Sequence, residues 1–104
     1  MIENKIIGKT LYTGLSGELD ECCAVPIKTR LDELLLTPKI EKVVIELSQL
    51  TFMDSTGIGV LLGWYKRAIN NGIPIFVANP QKSVDKILKL SGIYSIMPKI
   101  VAEV

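Results

Sequence analysis

Asp54, Ser55 and Thr56 stand together in FMDSTGIG, residues 52–59, between an apolar run and an amphipathic one. A serine so placed can be a nucleophile, and an aspartate can help to hold a metal. All three residue types are also favoured at helix N-termini, where a side-chain oxygen takes an otherwise unpaired backbone N–H. The sequence contains no histidine, which removes Ser-His-acid triads, the commonest general base and every His-ligated metal site. Met53-Asp54-Ser55-Thr56-Gly57 also lacks the first glycine of a nucleophile elbow. The acids Glu18, Asp20, Glu21 and Asp54 have no metal-ligand spacing, so solvated or capping roles fit them better. Gly8-Lys9-Thr10 lacks the preceding glycine of a phosphate loop and leads into a strand, not a helix.

Capping explains one hydroxyl or carboxylate, but not the glycines. Gly57 and Gly59 fall inside the first turns of the expected helix, where each costs about 1 kcal/mol relative to alanine. Ser55, Gly59 and Gly63 are spaced by four and make one narrow stripe beside the apolar face. Such a stripe admits another backbone, either this protein's own sheet or a partner. The expected core stripe of the helix is Ile58, Leu61, Leu62, Tyr65, Ala68 and Ile69. Trp64 lies about 180° from Ser55, near Val60 and Arg67, and suits either a contact surface or a place against another helix.

The elements that must position these residues follow from the apolar pattern. Ile2 to Ile7 and Thr10 to Leu15 read as strands joined by a hairpin turn at Gly8-Lys9. A helix then begins at Asp20 or Cys23, with Ile27, Leu31, Leu34 and Leu35 on its apolar face; Pro38 helps to stop it. Lys42 to Leu47 is a short continuous apolar run, as in a strand covered on both faces. The helix carrying the site spans Ser55 to Asn71 and closes at Gly72. Pro74 to Ala78 is another strand. Asn79-Pro80 gives a cap and a first-turn proline for a helix lined by Val84, Ile87 and Leu88 and ended by Gly92, and a last strand falls within Lys99 to Val104. The order β-β-α-β-α-β-α-β predicts an α/β domain over residues 1–104, with a mixed, mostly parallel sheet and helices packed on it. Ligands and partners of such sheets meet the loops beyond the strands' carboxyl ends, and Asp54-Ser55 leaves such an end.

Composition narrows the function classes. The chain of 104 residues suits one modest core, and 48% hydrophobic residues predict a packed globule. A net charge of +1, with no basic cluster, gives no electrostatic case for nucleic acid. No apolar run approaches the roughly 18 residues of a membrane span, and MIENKIIGKT lacks a signal peptide's apolar core, so a cytoplasmic protein is expected. Cys22 and Cys23 are adjacent, a poor geometry for a mutual bridge, and fit a reducing compartment.

LSGELD (Leu15 to Asp20), FMDSTGIGVLLGWYK (Phe52 to Lys66) and LSGI (Leu90 to Ile93) together resemble the anti-sigma factor antagonists, stand-alone STAS domains, and most nearly the sporulation type. The segment Asp54 to Gly59 is the specific part of the match. The resemblance implies partner switching. The unphosphorylated antagonist binds an anti-sigma factor, which releases its sigma factor; that anti-sigma factor is also an ATP-dependent serine kinase, and a separate phosphatase reverses its action. The resemblance places the phosphorylated serine at Ser55 and matches the family's loop aspartate with Asp20 and its motif aspartate with Asp54. Asp20, Asp54, Ser55, Thr56, Gly57, Gly59 and Gly63 are then the expected partner-binding residues, with no catalytic residue, no cofactor and no metal. The sequence ends at Val104, where family members commonly carry a further helix, so one sheet face or edge is expected to be less covered. The expected activity is that of a phosphorylation-gated binding module and not an enzyme. Rival readings are a STAS scaffold not controlled by Ser55, an enzyme using Ser55 as nucleophile, and a small-ligand sensor.

Overall fold

A computed structural model describes residues 2–19 and 40–101. β1 (Ile2–Ile7) and β2 (Thr10–Leu19) form an antiparallel hairpin closed by the pair Ile7 and Thr10. Gly8 takes the first loop position at φ 62°, with Lys9 at negative φ, the pattern of a type II′ turn that matches the strands' twist. β3 (Lys42–Met53), β4 (Ile75–Ala78) and β5 (Lys99–Ile100) follow in parallel, giving one sheet in the order β1-β2-β3-β4-β5. Helix α1 (Ser55–Asn70) joins β3 to β4, and α2 (Lys82–Ser91) with a 3-10 turn (Ile93–Ser95) joins β4 to β5. The mixed, mostly parallel sheet with alternating helices is the expected one. The first expected helix, with Cys22 and Cys23, lies outside the described residues.

Register divides the sheet into two faces. Leu11 and Leu15 of β2, Val43, Ile45 and Leu47 of β3, and Ile75 and Val77 of β4 point to one face, where they form a core with Val60, Leu61, Trp64 and Ala68 of α1 and Val84 and Leu88 of α2. Tyr12, Gly14, Val44, Glu46 and Phe76 point to the other. That outer face carries an open cleft of about 690 Å³ between Glu3, Lys5, Tyr12, Ser16, Glu46 and Ser48, none of which belongs to Asp54–Gly63.

Two strands run further than their apolar patterns predict. β2 continues from Leu15 to Leu19, crossing register shifts at Gly14/Ser16 and Gly17/Glu18, with Gly17 in the left-handed region at φ 81°. β3 continues from Leu47 to Met53, because Gln49, Leu50, Phe52 and Met53 pair with this bulged stretch of β2. The buried residues there are Leu47, Leu50 and Met53, every third position, so the two-residue alternation of a regular strand is absent.

α2 also begins later than expected. Asn79 sits at φ 53° and donates Nδ2 to Glu46 Oε2 at 2.8 Å, so Asn79-Pro80 is connection, and Gln81 precedes the first helical residue, Lys82. Gln81 instead donates Nε2 to the Ser48 carbonyl at 2.8 Å. Gly92 ends the helix at φ 77°, as expected. In its first turn, Asp85 Oδ1 accepts from the Tyr94 hydroxyl at 2.5 Å and from Lys99 Nζ at 3.1 Å, and Oδ2 pairs with Lys89 at 3.2 Å. These partners, the Tyr94 hydroxyl first, lower the Asp85 carboxyl to about 2. Burial, then donation to Asp85, pushes the Tyr94 hydroxyl well above its usual range.

Candidate functional site

The long β2–β3 pair carries its carboxyl ends beyond β4, and Asp54 follows at the tip of β3. Thr51 secures the pair by donating Oγ1 to the Gly17 carbonyl at 2.8 Å. Asp54 turns the chain into α1. Its backbone is extended at φ −119°, and its Oδ1 accepts from the Thr56 amide at 2.9 Å and the Gly57 amide at 3.2 Å. Asp54 is therefore the helix cap, which leaves Ser55 as the first helical residue. Ser55 is exposed, and its side chain makes no hydrogen bond among the described residues.

The buried face of α1 differs from the expected stripe. Gly57, Val60, Leu61, Trp64 and Ala68 are buried, while Ile58, Leu62 and Tyr65 are half-buried and Ile69 is 48% exposed. Trp64 is wholly buried, so it is a core residue and not a contact surface. Its Nε1 finds no acceptor among the described residues. The helix has more apolar positions than one face can bury, and Trp64, its largest side chain, lies on the stripe that goes inward. The sequence signal was the spacing Gly57, Val60/Leu61, Trp64, Ala68, itself an i, i+3/i+4, i+7 pattern.

This rotation sets Ser55 and Gly59 on the side of α1 opposite the core. A Cβ built at Gly59 would meet nothing within 4 Å, so packing against this protein's own sheet does not explain that glycine. Gly63 and Thr56 are half-buried. Gly57 is buried with its amide given to Asp54, so it serves the cap and offers a partner no surface in the free protein. Asp20 lies outside the described residues. Sequence reasoning passed over Phe52, which is 45% exposed two residues before the cap, and it assigned to the core Ile58, Leu62 and Ile69, which form a partly exposed stripe beside Gly59. Phe52 had a weak signal, being a large apolar residue beside the motif aspartate.

The arrangement presents an open hydroxyl and a bare stretch of helix backbone, bordered by apolar side chains. Among the described residues, no group of three or more His, Cys, Asp or Glu could hold a metal ion. Nor is any described helix long and apolar enough to cross a membrane.

Comparison with known proteins bears on the fold and the family. The chain is 38% identical to an anti-sigma F factor antagonist of Paenibacillus polymyxa over 88 residues, 85% of this chain and 75% of that protein. It shares its fold with the anti-sigma factor antagonist SpoIIAA in its unphosphorylated form, at a TM-score of 0.82 and 22% identity over 97% of this chain and 89% of that one. The phosphorylated form of SpoIIAA, a Bacillus cell fate determinant, gives 0.74 at 22% identity over 97% and 92%. The STAS domain model matches residues 1–104, and on that match, with a relative this similar, the chain belongs to the STAS domain family.

Proposed function

We propose that this chain is an anti-sigma factor antagonist whose unmodified form binds an anti-sigma factor and thereby frees a sigma factor, and whose binding is switched off by phosphorylation of Ser55. The observation that carries this reading is the exposed, unbonded Ser55 hydroxyl at the head of α1, next to the open backbone of Gly59. Asp54 already caps the helix, so the fold does not need the serine's oxygen. The hydroxyl is thus available to a kinase. The curated relative named an anti-sigma F factor antagonist, and the two forms of SpoIIAA, support the same reading.

The electrostatics favour release over refolding. A helix start tolerates a phosphate, but Asp54 takes the Thr56 and Gly57 amides, so the new charge finds fewer free donors than at a bare helix end. About −1.5 to −2 charges are added beside an aspartate, facing outward. A partner fitted to a neutral hydroxyl must then desolvate them or meet them with its own acids. The partner's kinase activity and a phosphatase acting on the modified form belong to the same proposal.

The test is to incubate the protein with its cognate anti-sigma factor and ATP, and to read intact mass and the modified residue. One phosphate on Ser55 is expected. Modification of Ser48 or Ser83 at the same rate in Ser55→Ala would overturn the assignment.

A further inference from the structure

Among the described residues β1 is the outer strand of the sheet, and its sequence Ile2-Glu3-Asn4-Lys5-Ile6 reads as its own complement about Asn4. We propose that this chain pairs with a second copy of itself along the free edge of β1, antiparallel about a twofold axis at Asn4, joining the two sheets into one. In that register Ile2 faces the second copy's Ile6, Glu3 faces its Lys5, and Asn4 faces its Asn4.

Three observations fix the geometry. First, the hairpin closes on the pair Ile7 and Thr10 across a two-residue loop, an arrangement in which the closing pair exchanges hydrogen bonds. Antiparallel pairing then alternates, so Lys5 and Glu3 spend their backbone groups on β2, while Ile2, Asn4 and Ile6 direct theirs outward. Pairing about Asn4 sets these outward residues opposite one another, in three pairs that each exchange two bonds. Second, Glu3 and Lys5 then fall at the intervening positions, where opposed side chains come closest, with opposite charges matched on both sides of the axis. Both are exposed, lie on the face away from α1 and α2, and make no ion pair among the described residues. Third, Ile6 is 51% exposed at the edge of the helix-bearing face, while Ile2 is half-buried against the core. Pairing gives each Ile6 the second copy's Ile2 as an apolar neighbour. The Asn4 side chain stays with its own fold, its Oδ1 accepting from the Thr13 hydroxyl at 3.2 Å.

An isolated edge lysine is a common device against such pairing. Here the same lysine meets a glutamate in the twofold register, so it selects a register and does not block it. The contact is isologous and closes at two copies.

Analytical ultracentrifugation of the full chain over a concentration series reaching the millimolar range tests the proposal. A monomer–dimer equilibrium is expected. Glu3→Lys and Lys5→Glu should each weaken it roughly ten-fold or more, since each replaces two attractive cross-strand pairs by two repulsive ones. The double variant Glu3→Lys/Lys5→Glu restores both pairs and should dimerise like the parent. Asn4→Pro removes an outward N–H, which an edge strand tolerates, and should give a monomer with unchanged far-ultraviolet circular dichroism. A parent that is monomeric throughout overturns the proposal. So does a dimer indifferent to both single reversals, or a double variant that fails to recover. Asn4→Pro also removes the acceptor of the buried Thr13 hydroxyl, so should it fail to fold, the two charge reversals and their double variant decide the proposal.

Discussion

Ser55→Ala removes a hydroxyl that takes no part in holding α1, so stability should change by no more than about 0.5 kcal/mol. Binding to the anti-sigma factor should persist and phosphorylation should cease. Asp54→Ala is the contrasting change. It strips the cap from the Thr56 and Gly57 amides and should cost about 0.5–2 kcal/mol in chemical denaturation. Equal losses in the two variants would show that Ser55 shares the capping. At this scale the sequence was legible where a residue's chemistry is local: an Asp-Ser-Thr run announces a helix start by composition. The share of work among the three was not, because any of them can cap, and only the turn geometry selects Asp54. Gly57 was expected at the partner surface because the resemblance places it in the motif, and a glycine carries no polarity signal to say otherwise. Its burial follows from the turn of α1 that faces it inward.

On α1, Gly59 and Trp64 lie on opposite sides of one helix and should respond in opposite ways. Gly59→Leu enters open space and improves helix propensity, so the thermal midpoint should hold or rise while anti-sigma factor binding falls. Unimpaired binding would remove this stripe from the interface. Trp64→Ala empties a fully buried site and should cost about 3–5 kcal/mol. The strand lengths were misjudged because the second halves of β2 and β3 hold glycine, serine and threonine in a bulged ladder, where pairing rather than burial makes the strand. The start of α2 was misjudged because Asn79 prefers Glu46 and a left-handed turn to capping. In the first turn of α2, Asp85 supplies a pH dependence. Its folded pKa, about 2, lies below the ordinary 3.8, so acid protonates the unfolded chain first. Its contribution is complete above pH 3.8 and is lost as the pH falls toward 2. Tyr94→Phe removes the largest cause of that depression, and NMR titration of the Asp85 carboxyl should move upward. An unmoved titration would contradict the assignment.

The class of sheet, mixed and mostly parallel, was legible from alternation: short apolar runs separated by amphipathic stretches leave few topologies besides sequential crossovers. That order puts the tip of β3, and with it Ser55, at a carboxyl end of the parallel strands. The part played by each face was less legible, because Tyr12, Val44 and Phe76 are as apolar as the core yet point away from α1 and α2. At this scale the switch should act without rearranging the fold, since the phosphate would stand outside the core and beyond the cap. Ser55→Asp should reproduce the effect only in part, having one charge and fewer acceptor oxygens. The most direct measurement is a calorimetric titration of the anti-sigma factor with unmodified and Ser55-phosphorylated protein, with amide NMR spectra of both forms. The account predicts a loss of about 2–4 kcal/mol on phosphorylation, roughly 30- to 1,000-fold in affinity, with spectral changes confined to the neighbourhood of Asp54–Gly59. Equal affinities, or changes spread across the sheet, would contradict it.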